Sequence, residues 1–328
     1  MEYRRLGKSG VQVSALSLGS WLTFGKQISD DVAERLMAIA YERGVNFFDN
    51  AEGYAAGKSE IVMGNILKKM NWDRTSYLVS SKVFFGAGGK MPNQTGLSRK
   101  HIIEACHAAM QRLQVDYLDF YFCHRPDPNT PIEETVWAMN HLIQQGKVHY
   151  WGVSEWSARD IEEAYLIAEK RNLIGPTMEQ PHYNLFVRER VEIDYVPLYQ
   201  KYGLGTTIWS PLASGVLTNK YIDASPEDTR LGIQGMEWLR DKVLKQENIE
   251  KARSLHALAT ELGTSLPCMA IAWCLKNPHV STAILGASKP HQLEETLGSI
   301  EVLPLLTDEV MERIEAIVGN KPRVTKEV

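Results

Sequence analysis

Asp49, Tyr54, Lys82 and His124 are the residues in this chain whose types combine into recognisable chemistry. An acid, a phenol, an amine and an imidazole suit one task, the delivery of a proton to a carbonyl oxygen. A phenol with its ordinary pKa of about 10 is a poor acid at neutral pH. A neighbouring ammonium would lower that pKa by stabilising the phenolate. An aspartate would fix and neutralise the ammonium, and a histidine would hydrogen-bond the substrate oxygen or relay the proton. A carbonyl made electrophilic in this way still needs an electron pair. No side chain supplies hydride, so a nicotinamide must.

Three of the four residues stand where a β-rich run gives out. VNFFD (45–49) ends on Asp49, SYLVSSK (76–82) on Lys82 and DYLDFYFCH (116–124) on His124, while Tyr54 follows in the loop after Asp49. Five more runs complete the series: ALSLG (15–19), KVHYWGVS (147–154), TMEQ (177–180), GTTIWS (205–210) and STAILGAS (281–288). Between them lie helix-period segments such as DDVAERLMAIAYERG, RKHIIEACHAAMQRL and IEETVWAMNHLIQQG, several closing on glycine as a C-cap would. β-runs alternating with helices imply parallel pairing through right-handed crossovers. A closed (β/α)8 barrel of the TIM type, a single domain over residues 1–328, is the natural reading. An open doubly wound sheet is the rival, but it would want a G-x-G-x-x-G after the first strand, and LGSWLTFG does not supply one. In a barrel the chemistry lies at the C-terminal rim, where Asp49, Lys82 and His124 would stand.

Two parts fall outside the repeat. YRRLGKSGVQVSA reads as a hairpin able to plug the bottom of the barrel, and residues 215 to about 245 form a long strand-poor excursion. The 328 residues are 44% hydrophobic, enough for a large core. The net charge of −4 and the absence of a Lys/Arg-rich run argue against nucleic acid. No apolar run of membrane-spanning length and no signal-peptide pattern is evident, and Cys106, Cys123, Cys268 and Cys274 form no C-x-x-C pair. A cytoplasmic protein without membrane insertion is expected.

FFDNAEGY, VSSK, FYFCHRPDPNTPIEET, GKVHYWGVSEWS, WSPLASGVLTNKY and AILGASKPHQLEE resemble the aldo-keto reductase superfamily along essentially the whole chain. HRPDPNTPIEET, AIAWCL and GNKP are similar to its potassium-channel β-subunit branch in particular. The resemblance implies a catalytic tetrad of Asp49, Tyr54, Lys82 and His124, and NADPH/NADP+ as cofactor. It implies that Trp209 stacks on the nicotinamide and that Ser154 and Gln180 bond its carboxamide, with Asp49 nearby. Ser20, Trp21 and Gln27 would approach the nicotinamide ribose. Ser210, Pro211, Leu212, Ala213 and Ser214, with Lys220 and Arg230, would cover the pyrophosphate. Gly286, Ser288, Lys289, Gln292 and Glu295 would hold the adenosine end. Physical reasoning supports that last group separately, because Ser288-Lys289-Pro290 opens a helix, and a helix N-terminus beside a cation binds phosphate. A 2′-phosphate there favours NADPH over NADH. The likeness also leaves room for a homotetramer, whereas no residue speaks for a channel partner.

The chain departs from that branch in two places. Its animal channel subunits look asparagine-bearing where this chain has His124, the pattern of working reductases, and Glu155 stands where a basic residue is expected. The leading expectation is an NADPH-dependent reductase of a small carbonyl substrate, reversible as an alcohol dehydrogenase. A channel-β-like regulatory subunit with slow turnover is one rival. A Schiff-base enzyme with Lys82 as nucleophile is the other. Cys123 beside His124 suggests a metal pair, but neighbours on a strand face opposite ways. Trp21, Phe84, Phe85, Trp156 and Trp238 are candidates for the walls of the substrate pocket.

Overall fold

The structure, a computed structural model, describes residues 1–221 and 244–323. Strands β1 (Tyr3–Arg5) and β2 (Gln12–Ser14) pair antiparallel as the expected hairpin. The next eight strands are β3 (Leu16–Gly19), β4 (Phe47–Asp49), β5 (Leu78–Val83), β6 (Leu118–Cys123), β7 (Val148–Val153), β8 (Met178–Glu179), β9 (Gly205–Trp209) and β10 (Thr282–Leu285). They form a closed parallel barrel in which β10 bonds both β9 and β3. That double pairing excludes the open sheet and makes the fold a (β/α)8 TIM barrel.

Helices α1 (Asp30–Glu42), α2 (Lys58–Met70), α3 (Arg99–Leu113), α4 (Ile132–Gln144), α5 (Ala158–Arg171) and α6 (Val196–Tyr202) fill the crossovers from β3 to β9. Among the described residues, α7 (Gln246–Glu261) and α8 (Leu266–Lys276) precede β10, and α9 (Pro290–Leu297) follows it. Two short stretches of sequence chemistry set the helix starts and stops. Ser29, Ser98 and Ser157 cap α1, α3 and α5 by accepting from the backbone N–H of Val32, His101 and Asp160. At the other end, α2, α3 and α5 stop at Asn71, Gln114 and Asn172, which adopt the left-handed conformation without being glycine. The glycines read at helix ends follow α1 and α4, where Gly44 and Gly146 take φ 84° and 68°, while these three stops do without one.

Two apolar layers hold the barrel. The larger lies between strands and helices. The smaller is inside the barrel and consists of Leu6, Val13, Phe47, Phe120, Phe122, Met178 and Ile284. Leu6 and Val13 come from the hairpin, which thus plugs the N-terminal end as expected. The plug seats closely: a Cβ at Gly7 (φ 55°) would fall 2.1 Å from the Gly203 carbonyl oxygen, so only glycine fits there. With the floor filled by side chains, only the C-terminal end remains open for chemistry. No single described helix is long and apolar enough to cross a membrane.

Candidate active site

Alternation along the strands decides which side chains enter the barrel. In β4, Phe47 joins the interior cluster, Phe48 turns outward against Trp72 and Tyr77, and Asp49 faces in again at the rim. In β5, Ser80 and Lys82 reach Asp49, while Ser81 turns out to bond Glu60. In β6, Phe120 and Phe122 point inward and Tyr121 and Cys123 outward, so His124 faces the cavity at the rim. Cys123 and His124 do face opposite ways. Among the described residues no cluster of His, Cys, Asp or Glu suited to a metal occurs.

Lys82 is the hub. Its Nζ donates to Asp49 Oδ2 at 2.6 Å, to the Asn50 carbonyl at 2.8 Å and to Tyr54 Oη at 3.2 Å. Asp49 Oδ1 in turn accepts from Ser80 Oγ at 2.8 Å and Gln180 Nε2 at 3.1 Å. Burial disfavours the ammonium, but the charge of Asp49 and the contact with Tyr54 overcome it and raise the Lys82 pKa. An ammonium held this firmly is no nucleophile, which removes the physical basis of the Schiff-base reading.

Tyr54 opens a tight turn, Tyr54–Gly57, in which Ala55 and Ala56 take left-handed conformations at φ 49° and 53°. Such conformations cost an L-residue about 1–2 kcal/mol each, and here they set the phenol over Lys82. The expected acidification of this phenol does not follow. Burial is the dominant influence and raises its pKa above 10, and the opposing charge of Lys82 does not overcome it. Tyr54 is accordingly a neutral phenol, poised to give its proton only to a much stronger base such as a forming alkoxide.

The His124 ring stands near-perpendicular to Tyr54, with centroids 5.6 Å apart, and its Nδ1 is buried without a partner among the described residues. Burial, reinforced by the charges of Lys82 and Arg125, holds its pKa well below 6.5. It is a neutral imidazole at physiological pH, carrying one N–H to offer.

A cavity of about 600 Å³ runs across the rim from these residues to the start of α9. Trp21, Gln27, Asp49, Ser154, Gln180, Trp209, Ser210, Pro211, Leu212, Ser214, Lys220, Gly286, Ser288, Gln292 and Glu295 all line it. Three expected cofactor residues do not. Ser20 is buried beneath the rim with its Oγ on the Asp49 carbonyl, Ala213 is buried, and Lys289 is the exposed N-cap of α9. Arg230 and Trp238 lie outside the described residues. Of the proposed walls, Trp21 and Phe85 line the cavity, whereas Phe84 packs on the core and Trp156 is buried within it.

The donor set fits a nicotinamide dinucleotide. Trp209 gives a flat aromatic floor, and His182, which does not line the cavity, stacks on the indole at 4.2 Å and 13°. Serine hydroxyls and Lys220 border the middle. At the far end α9 begins without a side-chain cap, leaving helix-terminal N–H groups for an anion.

Two residues near this floor are not among the expected site residues, although Glu155 stands out in the sequence as an acid where a basic residue is expected. Glu155, at φ 60°, accepts from Trp209 Nε1 at 3.1 Å and from the His182 backbone N–H at 2.6 Å, and pairs with Arg190 at 3.0 Å. It thus holds both stacked rings. Arg125 also lines the cavity. Strict alternation after His124 would turn it outward, but β6 has ended by then and the turn swings it back.

The aldo/keto reductase family model matches residues 15–318, and the chain belongs to that family. Its members are oxidoreductases that reduce carbonyl compounds with a nicotinamide cofactor.

Proposed function

We propose that this chain is an NADPH-dependent reductase of aldehydes and ketones in which Tyr54 supplies the proton. The observation that carries the reading is the buried Asp49–Lys82 pair hydrogen-bonded to Tyr54 in the wall of a cavity of about 600 Å³ that reaches the start of α9. The bound nicotinamide supplies hydride to the carbonyl carbon. Trp209 would form the floor beneath it, and Ser154 and Gln180 would hold its carboxamide. The substrate oxygen lies between Tyr54 Oη and the imidazole of His124. As negative charge develops there, His124 donates a hydrogen bond and Tyr54 gives up its proton, with Lys82 stabilising the phenolate that remains. Lys289 and the start of α9 receive the 2′-phosphate that separates NADPH from NADH.

The likeness of HRPDPNTPIEET to the channel β-subunit branch supports a second reading, an NADPH-binding regulatory subunit with slow turnover. His124 favours the enzyme. NADPH absorbance followed with purified protein and a panel of aldehydes, 4-nitrobenzaldehyde among them, separates the two. Sustained turnover supports the reductase. Tight NADPH binding with oxidation no faster than the protein-free control would turn the assignment to the regulatory subunit.

A further inference from the structure

The substrate side of the cavity carries a positive charge that proton delivery does not use. Arg125 leaves the end of β6 directly after His124 and lines the cavity. One nitrogen, Nη1, donates to the His124 carbonyl and to Ser154 Oγ, the latter at 3.3 Å. Among the described residues no acid pairs with the guanidinium, and its Nε and Nη2 bond nothing. The two carboxylates in the cavity wall do not answer this charge. Asp49 is bound to Lys82, and Glu295 sits on the helix after β10, four strands round the ring from β6.

The surroundings place this charge beside the reacting centre. The Phe85 ring, half exposed, lies edge-on to His124 at 5.0 Å, and the Arg125 guanidinium is 5.9 Å from the same ring. Tyr54, His124, Phe85 and Arg125 therefore form one continuous wall, the phenol proton at one end and the cation at the other. The charge of Arg125 is among the influences felt by both Tyr54 and His124.

We propose that Arg125 selects carbonyl substrates that also carry a carboxylate, with an apolar body resting on Phe85 and Trp21. The inference rests on the reductase reading and narrows its substrate class to oxo acids. A guanidinium presents five donors in a planar fork that matches a carboxylate, and Nε and Nη2, unbonded among the described residues, form one edge of that fork. A hydrogen-bonded contact to a charged group is worth about 10- to 100-fold in binding, so the preference belongs in kcat/KM.

The test compares 3- and 4-carboxybenzaldehyde with their methyl esters as substrates of the full chain with NADPH. The ester withdraws electrons more strongly than the carboxylate, so intrinsic reactivity favours the ester, and any preference for the acid comes from binding. Wild-type protein is expected to prefer the acids by about 10-fold or more. Arg125→Gln should bring the acid-to-ester ratio to one or below, Arg125→Glu should invert it, and Arg125→Lys should retain part of it. Reading a ratio cancels any loss common to both substrates. Independently of the variants, benzoate should inhibit wild-type reduction of 4-nitrobenzaldehyde more strongly than benzamide does. No acid preference with either isomer, a preference that survives Arg125→Gln, or equal inhibition by benzoate and benzamide would each overturn the proposal. Failure of the reductase reading looks different, because then wild type reduces neither acid nor ester.

Discussion

Tyr54 and His124 sit ring against ring, yet burial drives their proton equilibria in opposite directions. The phenol is held protonated to above its ordinary value near 10, and the imidazole is held neutral to well below 6.5. Reduction needs the protonated phenol, which is present at every pH below its raised pKa. The imidazole stays uncharged, with one N–H to donate, at every pH above its lowered pKa. The kcat for reduction should therefore stay level from about pH 6.5 to 9, while alcohol oxidation, which needs the phenolate, should rise with pH. A reduction profile that falls through pH 7 would show that some other group donates the proton. Tyr54→Phe keeps the ring and loses only the hydroxyl. It should leave NADPH affinity nearly unchanged and cut turnover at least about 100-fold, and near wild-type rates would remove Tyr54 from the role. His124→Asn keeps a donor of similar reach but loses the imidazole. Folding and NADPH binding should persist, with aldehyde reduction slowed by about 10- to 1000-fold in kcat. Unchanged rates across an aldehyde panel would show that His124 does not act in the reaction and would favour the regulatory reading.

At the scale of elements, the site depends on three neighbouring strands that deliver their last side chains to the same rim. The pairing of β4 with β5 and of β5 with β6 brings Asp49, Lys82 and His124 together although each is separated from the next by more than thirty residues. The tight turn after β4 then closes Tyr54 over them. Across the ring, α9 contributes its N-terminus as well as the side chains of Gln292 and Glu295 in the wall. Lys289 stands at that terminus, exposed, so that on the proposed reading its charge would add to the partial positive charge of the helix end in holding a 2′-phosphate. Lys289→Glu should raise the NADPH dissociation constant about 3- to 10-fold and leave NADH binding nearly unchanged, since repulsion acts on the extra phosphate alone. Equal losses for both cofactors in a fluorescence titration would place the 2′-phosphate elsewhere.

For the whole molecule, the barrel wall near the nicotinamide floor contains a buried carboxyl. Glu179 is fully buried, accepts from the Glu155 backbone N–H at 2.6 Å, and has no partner for Oε2 among the described residues. Burial, and then the nearby charge of Glu155, raise its pKa well above 4.5. Below about pH 4.5 the folded and unfolded chains both hold this proton and stability is unaffected. Above it the unfolded chain releases the proton while the folded chain retains it, so stability falls as pH rises until the folded pKa is reached. The slope is about 1.4 kcal/mol per pH unit for one such group. Glu179→Gln has nearly the same shape and no proton to keep. In thermal unfolding its advantage over wild type should be small at pH 5 and larger at pH 8. An equal shift at both pH values would show that Glu179 ionises freely in the folded protein.

The periodicities of the chain determine the barrel and most of its rim. Alternation puts Asp49, Lys82 and His124 on the inner face, and strand ends put them at the open end, because a two-residue period and the position of a strand's last residue are local properties. The same holds for the hairpin, whose Leu6 and Val13 mark it as a plug once the barrel is granted. What only the tertiary structure decided lies where the chain leaves those periods or where burial sets an energy. Arg125 escapes the alternation two residues past its strand, and Glu155 reaches Trp209 from fifty-four residues away through a left-handed backbone. Lys289 occupies the N-cap position of its helix, exposed, instead of lining the cavity. The direction of the Tyr54 pKa was set by desolvation, a sum over all the atoms packed around the phenol, and no spacing between charged residues in a sequence contains that sum.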